Sequence, residues 1–341
     1  MRPSIVCLSF FALAPAISYA QLAEVPTPAV GAQCDDMGDT TPLAAAIDRE
    51  VAILSRRPAS ERWRFGALDV SVSDYVQKTL KPLAALARSG SAALCAGLVS
   101  QFRFYKDKSL TSTAGKFTIY NNPVVKGSRT KHDAFQYPLY RKPPGDLARL
   151  TTAQIIDGGL NGKNLELAWL DDPVATMRIA IEGSTIVNFD DGTQQGFGAD
   201  GSNGQTYSTM HTGEAIKELK KGLPAFWAYW KKNPKYVFFK EKAGGASGKF
   251  GELTAGRSLA IDPTQVPQGG AAWIRAEKPG IGPDHKVTGW YSYGRVTLAQ
   301  DTGSAIKGPG RTDVFFGTGE YADDAAKQGA RGGEIYILLA K

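Results

Sequence analysis

Hydrophobic residues recur at the spacing of amphipathic helices in two regions of the chain. One region runs from Pro42 to Phe104 and the other from Thr212 to Asn233. The residues that share a helical face are Leu43, Ile47, Val51 and Leu54, then Val76, Leu80 and Leu83, and finally Ala215, Leu219, Leu223, Phe226 and Trp230. We expect these faces to pack into a core. Pro224 should split the last helix in two, because proline interrupts helical hydrogen bonding.

From Gly115 onward the chain consists mainly of short runs rich in β-branched and aromatic residues, separated by glycine, proline, asparagine and aspartate. Many short runs of this kind are typical of β proteins. The predicted strands are Lys116 to Tyr120, Met177 to Val187, Ala271 to Ala276, Lys286 to Ala299, Thr312 to Phe316 and Glu334 to Leu339. The pattern therefore predicts a mainly β protein with helices and shows no internal repeat.

Residues 1–20 have the pattern of a secretory signal peptide. Arg2 supplies a positive charge, Ile5 to Pro15 is apolar, and Ser18 to Ala20 ends in the small residues that signal peptidase accepts. The apolar run is too short to span a bilayer, and Cys7 lies too early in it for a lipidation site. We expect cleavage before Gln21 and export to the periplasm.

The formal net charge of the chain is +7. In a cytosolic protein this charge would suggest nucleic acid as a partner, but export argues against nucleic acid. An anionic polymer or an anionic lipid surface outside the cytoplasm is a more consistent partner. A charge excess of this size also occurs on ordinary solvated surfaces, so the charge alone does not identify a ligand.

Two cysteines remain after the leader, Cys34 in an extended tail from Gln21 to Thr40 and Cys95 in the helical region. Neither lies in a CxxC pattern or beside histidines, which argues against a zinc site. Export favours a disulfide between them. The alternative is that both are unpaired and pack as small hydrophobic residues.

Several short motifs lack the context that their chemistry needs. The stretch Gly244 to Phe250 resembles a phosphate-binding loop, but its spacing is wrong and no Ser or Thr follows the lysine. His132, His211 and His285 are scattered, which disfavours a histidine metal site or triad. Ser304 to Lys307 fits SxxK, yet the companion elements of penicillin-binding enzymes are missing. We interpret the first of these as a flexible loop.

The densest cluster of polar residues lies near the C-terminus, in Gln300 to Gly308, Arg311 to Asp313 and Gly317 to Glu320. Its carboxylates, among them Asp301 and Asp313, stand at predicted strand ends or beside glycines. Strand ends allow carboxylates to converge in a cleft while the sheet fixes their geometry. The alternative is ordinary turn chemistry, in which Asp and Gly simply end strands.

The residues of this cluster resemble the three-aspartate domain of the lytic murein transglycosylase A family. After VTLAQ, which begins at Val296, the chain reads DTGSAIKG and, from Arg311, RTDVFFGTGE; the family usually has AQDTGGAIKG and RxDxFWGTGDEAG. Further matches in the same order are KGSRT, YPLYRKPPGDL, LELAWLDDPV, NPKYVFF and LTAGRSLAIDP. The resemblance runs from about Gly115 to Lys341, whereas the helical N-terminal part matches only loosely.

This resemblance implies a mainly β fold with helices, in which a double-psi β-barrel domain is interrupted by a smaller inserted β-barrel domain. Residues 21–124 and 236–341 would form the double-psi domain with the N-terminal helices, and residues 125–235 the insertion. It also implies a monomeric enzyme without a cofactor or metal that holds peptidoglycan glycan strands in the groove between the domains. Peripheral association with the outer membrane is one option.

By the same likeness, Asp313 is the catalytic acid and base of a lytic transglycosylase. Its carboxyl would protonate the glycosidic oxygen and then accept the proton of the C6 hydroxyl of the same N-acetylmuramic acid. That hydroxyl would close a 1,6-anhydro ring, so no second carboxylate would be needed to activate water. Asp301 is expected either to hold the DTG turn through backbone amides or to contact the substrate or Asp313.

Other residues are assigned to the groove by the resemblance. On the Asp313 side they are Thr302, Gly303 and Lys307, of which Lys307 either stabilises developing negative charge or is simply solvated. On the opposite wall they are Tyr120, Glu182, Ser184, Asn203 and Tyr207. The chain departs from the family here, with IYNNP for GYYEP, AIEGSTI for QVQGSGR and DGSNGQTY for YAGQNGHPY. These departures concern sugar-binding positions and leave the Asp313 cluster intact.

Two other classes of function remain open at this point. Double-psi barrels also resemble expansin-like proteins, which bind or loosen polysaccharide without cutting it. A hydrolytic glycosidase would need a second carboxylate across the cleft, for which Glu320, Asp301 and Glu182 are the candidates.

Overall fold

The computed structural model describes residues 16–27, 34, 39–110, 114–242, 246, 248–303 and 305–341. The strands are β1 Ile17–Tyr19, β2 Leu22–Val25, β3 Arg62–Phe65, β4 Leu68–Ser71, β5 Phe102–Asp107, β6 Gly115–Tyr120, β7 Val124–Ser128, β8 Tyr137–Tyr140, β9 Glu166–Leu170, β10 Ser184–Phe189, β11 Gln194–Ser202, β12 Val237–Lys242, β13 Ser258–Ile261, β14 Ala271–Ile281, β15 Val287–Asp301, β16 Thr312–Phe315 and β17 Arg331–Ala340.

The α-helices are α1 Thr41–Leu54, α2 Val72–Tyr75, α3 Lys81–Arg88, α4 Ser91–Gln101, α5 Thr152–Gln154, α6 Pro173–Glu182, α7 Thr212–Lys220, α8 Leu223–Trp230 and α9 Glu320–Ala326. A π-helical segment, Val76–Leu80, joins α2 to α3, and another, Ile155–Gly159, follows α5. Short 3-10 turns occur at Lys108–Leu110 and Gly145–Arg149.

The larger sheet has eight strands in the order β14-β15-β13-β16-β6-β17-β5-β2. Strand β14 also pairs with β17, so six of the strands close into a barrel. Within this barrel β13 runs parallel to β15 and β16 parallel to β6, whereas the other neighbours are antiparallel. Closure removes free strand edges and fixes the strand ends relative to one another.

The N-terminal helices pack on this barrel through the faces that the helical spacing predicted. Buried residues of α1 and of the α2–α3 segment share one hydrophobic core with Trp273 of β14; they include Leu43, Ile47, Leu54, Val76, Leu80 and Leu83, with Val51 partly buried beside them. Cys34 and Cys95 of α4 form the predicted disulfide, with their Cα atoms 6.1 Å apart. The helical region is therefore part of the barrel's own core.

A second sheet has six strands in the order β12-β11-β10-β7-β9-β8. A bridge between Arg141, directly after β8, and Phe239 of β12 brings its two outer strands together. All of its strands lie between Val124 and Lys242, and in sequence they fall between β6 and β13 of the first barrel. The predicted fold class, a mainly β protein with helices in which one barrel is interrupted by another, is confirmed.

The prediction of a strand from Met177 to Val187 is wrong for its first half. Residues Pro173–Glu182 form α6, and only Ser184–Phe189 form β10. The helix begins where the Asp172 side chain accepts a hydrogen bond from the Val174 amide and Pro173 occupies the first turn, both strong helix-start signals. It ends at Gly183, whose φ of 77° is the left-handed conformation that glycine adopts readily.

The predicted break near Pro224 is confirmed, because α7 ends at Lys220 and α8 begins at Leu223. Most of the predicted leader, residues 1–15, lies outside the described residues. Ile17–Tyr19, at its end, forms β1 parallel to β3, and the Tyr19 side chain is buried. Within the described part of the chain, no helix combines the length and hydrophobicity needed to cross a membrane.

Candidate active site

Asp313 lies in the middle of β16, between β13 and β6. Its neighbours across the sheet are Ala260 of β13 and Thr118 of β6. The carboxyl group is largely buried and accepts a hydrogen bond from Arg311, whose guanidinium also donates to the Thr118 hydroxyl at 2.9 Å. Arg311 directly precedes β16, and these two hydrogen bonds hold its guanidinium beside Asp313.

Opposing influences act on the pKa of Asp313. Burial raises it most, and the negative charge of Asp301 raises it further, whereas the Arg311 guanidinium lowers it. The result is a pKa above the ordinary aspartate value. A raised pKa keeps more of the carboxyl protonated near neutral pH, which is what a general acid requires.

Asp301 ends β15 and is fixed by three hydrogen bonds. One carboxylate oxygen accepts from the Lys249 amide at 2.7 Å and from the Thr302 amide at 2.8 Å, and the other accepts from the Tyr120 hydroxyl at 3.1 Å. Burial raises the pKa of Asp301 although these bonds lower it. The carboxylate therefore holds the turn after β15 together and keeps an orientation fixed relative to Tyr120.

The loop before β13 reaches Asp301 because glycine allows it. A Cβ on Gly248 would lie 2.7 Å from the Gln300 carbonyl oxygen and 2.9 Å from the Asp301 Cβ atom, distances that no other residue could adopt without a shift. The stretch interpreted from sequence as a flexible loop thus contributes the Lys249 amide to the site. Of the SxxK motif, Ser304 lies outside the described residues.

Tyr120 stands at the end of β6 and packs against Phe315 of β16, with ring centroids 5.2 Å apart. Its pKa is raised well above the ordinary value, first by burial and then by the negative charges of Asp301, Asp313 and Glu182. Two carboxyl groups from the first sheet and one from α6 therefore act on one phenol.

Glu182 is the last residue of α6, in the segment that carries the second sheet. Its side chain is 23% exposed. Burial raises its pKa to about 7, Asp313 and Asp323 add to the increase, and Arg178 opposes it. Glu182 thus brings a carboxyl group, partly protonated at neutral pH, to the Asp313 cluster from the end of α6.

Arg178, one turn earlier on α6, joins the two parts of the site. Its guanidinium donates to the Asp323 carboxylate of α9 at 3.0 Å and to the Asn121 side-chain oxygen at 2.8 Å, and it lies 4.0 Å from the Glu182 carboxylate. Asn121 directly follows β6 and is fully buried. One arginine therefore fixes α6 against the barrel that carries Asp313.

The remaining predicted residues on the two walls differ in their positions. Thr302 and Gly303 directly follow Asp301 and are half-buried, and Ser184 begins β10, two residues after Glu182, also half-buried. Lys307 is exposed, and the carboxyl group whose pKa it lowers is that of Asp262. This environment matches the solvated alternative for Lys307.

Asn203 and Tyr207 do not fit their predicted place in the groove. Asn203 is buried; its amide donates to the Leu150 and Pro234 carbonyls, each at 2.8 Å, and its side-chain oxygen accepts from the Gln205 and Tyr236 amides. No hydrogen-bonding group is left for a sugar, so Asn203 is a structural residue.

Tyr207 packs on the same core as Trp230, and its hydroxyl accepts from the Met210 amide at 3.2 Å. Glu320, one candidate for a second carboxylate, begins α9 with a side chain that is 78% exposed and 3.2 Å from the His285 ring nitrogen. Neither residue has a contact to Asp313 in the described structure, so neither is part of its cluster.

Sequence reasoning missed Arg311 and Arg178 as site residues. The position of Arg311 two residues before a strand aspartate was a usable signal, since alternate strand residues share a face. Arg178 and Glu182 have the spacing of a helical pair, a signal that was lost when this segment was predicted to be a strand.

Two family models match the chain, the 3D domain at residues 257–339 and the MltA specific insert domain at residues 148–240. Membrane-bound lytic murein transglycosylase A of Escherichia coli strain K12 is 30% identical over 244 residues, and that of Vibrio cholerae is 29% identical over 243 residues. Each alignment covers 65% of this chain, with 65% of the first relative and 64% of the second. The alignments therefore cover less than two thirds of these relatives.

Solved structures of similar fold cover nearly the whole chain. The lytic transglycosylase LtgG of Burkholderia pseudomallei is 27% identical with a TM-score of 0.59, covering 95% of this chain and 97% of its own. A membrane-bound lytic murein transglycosylase from Agrobacterium tumefaciens is 24% identical with a TM-score of 0.71, covering 94% and 97%. MltA of E. coli with bound chitohexaose is 20% identical with a TM-score of 0.63, covering 94% of each chain.

Proposed function

The chain belongs to the membrane-bound lytic murein transglycosylase A family, and we propose that it is a lytic transglycosylase that cleaves the bond between N-acetylmuramic acid and N-acetylglucosamine in peptidoglycan. The observation that carries this proposal is the environment of Asp313. Its carboxyl is largely buried, has a raised pKa and is held by Arg311 on a rigid strand. These are the properties that a single acid and base catalyst requires.

The proposed reaction uses one carboxyl group twice. Protonated Asp313 donates its proton to the glycosidic oxygen as the bond from that oxygen to C1 of N-acetylmuramic acid breaks. The carboxylate then accepts the proton of the C6 hydroxyl of the same sugar while O6 bonds to C1. The products are a 1,6-anhydro end and a sugar with a new C4 hydroxyl, the catalyst regains its proton, and no water is consumed.

The neighbouring residues support this chemistry without taking part in proton transfer. Arg311 remains beside the Asp313 carboxylate after it donates its proton, so its charge stabilises the ionised form. Asp301, fixed by two backbone amides and Tyr120, places a second negative charge near the sugar, where positive charge develops as the C1–oxygen bond breaks.

The surroundings of the reaction are also part of the proposal. We place the protein in the periplasm, because of the leader pattern in residues 1–20, with peripheral attachment to the outer membrane as one option. Glycan strands would lie between the barrel that carries Asp313 and the segment 125–235 that carries Glu182. The bound chitohexaose in the E. coli relative supports a groove that accepts N-acetylhexosamine chains.

The experiment that tests this proposal is product analysis on purified sacculi. Digestion should release muropeptides with 1,6-anhydro ends, identified by mass spectrometry from the loss of one water relative to reducing ends. Binding to the sacculi without release of muropeptides would instead support a binding protein of the expansin-like kind, and reducing ends would show that water is the nucleophile.

Hydrolysis is a second candidate because of Glu182. This carboxyl belongs to the Asp313 cluster and has a pKa of about 7, so a large part of it is ionised at neutral pH and could activate water as a base. If reducing ends form, the Glu182→Gln variant should lose them, since an amide cannot accept the proton. If anhydro ends form, the same variant should still produce them.

A further inference from the structure

The second sheet and the helices around it line a half-open cavity that no step of the proposed reaction uses. Its volume is about 330 Å³, within the range of sites for small ligands. Six aromatic residues line it, and we call it the aromatic pocket: Tyr137, Tyr140, Trp169, Trp227, Trp230 and Tyr236.

The aromatic pocket is separate from the Asp313 cluster. Helix α6 contributes Thr176 to the lining of the pocket, whereas Arg178 and Glu182 of the same helix contact the Asp313 side. At 3.6 residues per turn, Thr176 points away from the face that Arg178 and Glu182 share. The two sites therefore lie on opposite sides of α6.

Two tyrosines that line the pocket have side chains that are almost fully buried. Tyr140 and Tyr236 are 3% and 4% exposed, and neither hydroxyl has a hydrogen bond to any residue that the structure describes. Burial raises the pKa of Tyr140 to about 12, so the group is a neutral donor. Neither hydroxyl is among the fully enclosed side-chain atoms that lack a partner in the described structure, so each faces the open space of the pocket, where water or a ligand can pair with it.

The aromatic rings form flat surfaces next to these hydroxyls. Trp227 stacks on Trp230 with centroids 5.9 Å apart, and Trp230 stacks on Tyr236 at 6.3 Å. Polar groups lie among the lining residues and are exposed, namely the amides of Gln136 and Asn161. The pocket therefore combines apolar faces with separate donors and acceptors.

This combination matches a sugar ring, which presents an apolar C–H face and hydroxyl groups around its edge. We propose that the aromatic pocket binds one N-acetylhexosamine residue of a glycan strand, away from the bond that is cut. A purely apolar ligand would leave the hydroxyls of Tyr140 and Tyr236 unpaired, at an energetic cost. This inference rests on the proposed function for the identity of the polymer, and it adds a second point at which a strand is held.

The test uses the full chain with Asp313→Asn to prevent cleavage, and N,N′-diacetylchitobiose as the probe. Binding is followed by tryptophan fluorescence, since three tryptophans line the pocket, and by calorimetry, which counts the sites. Tyr140→Phe and Tyr236→Phe remove only hydroxyls that have no hydrogen bond to the described residues, so the unfolding free energy should not fall. Each should weaken binding at the pocket between about twofold and tenfold.

Tyr75→Phe is the matched control. Its hydroxyl accepts from the Ala271 amide at 2.8 Å, so this change should lower stability and leave disaccharide binding unchanged. The proposal is overturned if the two pocket variants bind the disaccharide as tightly as their parent, or if calorimetry finds no site beyond the Asp313 cleft. Cleavage of sacculi by the chain with native Asp313 is assayed separately, so a failure of the proposed function would appear there and not in the binding data.

Discussion

The pKa of Glu182 makes a quantitative prediction for the Glu182→Gln variant. Folding raises this pKa from 4.5 to about 7. Below pH 4.5 the group is protonated in both the folded and the unfolded state, so it adds no pH dependence to the unfolding free energy. Between these values the folded state keeps a proton that the unfolded state has lost, so the unfolding free energy falls as pH rises. Above the folded pKa both states are ionised and the fall ends.

At about 1.4 kcal/mol per pKa unit, the loss from this one group is about 3 kcal/mol. Glutamine cannot ionise, so the variant should be more stable relative to the native chain at pH 8 than at pH 4 by about this amount. Urea unfolding at pH 4, 6 and 8 measures the difference. Glu320→Gln is the control, because that side chain is 78% exposed. Equal pH dependence of the native chain and Glu182→Gln would refute the burial of this carboxyl.

Three further predictions concern stability and the site. Replacing Cys34 and Cys95 by serine should lower the unfolding free energy by about 4 kcal/mol, since the disulfide closes a loop of 61 residues; a smaller fall than 1 kcal/mol in urea unfolding would contradict this. Arg178→Ala should lower the unfolding free energy by about 2 kcal/mol, because the Asp323 carboxylate and the Asn121 side-chain oxygen both lose a charged donor. An unchanged unfolding free energy would argue against the link between α6 and the barrel. Tyr120→Phe removes a hydrogen bond that lowers the pKa of Asp301, so the acidic limb of the pH-rate profile, where Asp301 must be ionised, should move to higher pH; an unmoved acidic limb would show that Tyr120 does not control the ionisation of Asp301.

The mainly β architecture and the buried faces of the helices were predictable because they follow from local periodicity. Leu43 and Ile47 lie on a single face of α1, and residues with this spacing share a face however the helix packs. The segment from Met177 to Glu182 was not predictable in the same way, since its apolar residues fit both the 3.6-residue repeat of a helix and the two-residue repeat of a strand. The signals that decide it, Asp172-Pro173 at the start and Gly183 at the end, lie at its boundaries.

The candidate site shows a similar division. Asp313 and Asp301 could be selected from sequence because their neighbourhood matches a family pattern along the chain. Asn203 was assigned to the groove by alignment of short motifs alone, which cannot show that both of its amide donors bond to backbone carbonyls. The closeness of Glu182 to Asp313 depends on how α6 packs against the barrel, and this packing depends on Arg178.

The aromatic pocket could not be predicted from the sequence either, because it too depends on how separate elements pack together. Trp227, Trp230 and Tyr236 come from α8 and the chain after it, whereas Tyr140 and Trp169 come from β8 and β9. Of these residues only Trp230 was predicted from sequence to lie on a packed helical face, and only the fold brings the rings and hydroxyls around one cavity.

The most direct test of the account is the rate of anhydromuropeptide release from sacculi by Asp313→Asn, compared with Asp301→Asn and Glu320→Gln. Asparagine keeps the shape of Asp313 but cannot donate and regain a proton, so release should fall by a factor on the order of a hundred or more. Asp301→Asn should cost less, and Glu320→Gln least. Release by the Asp313→Asn variant at nearly the native rate would contradict the assignment of Asp313 as the catalytic acid and base.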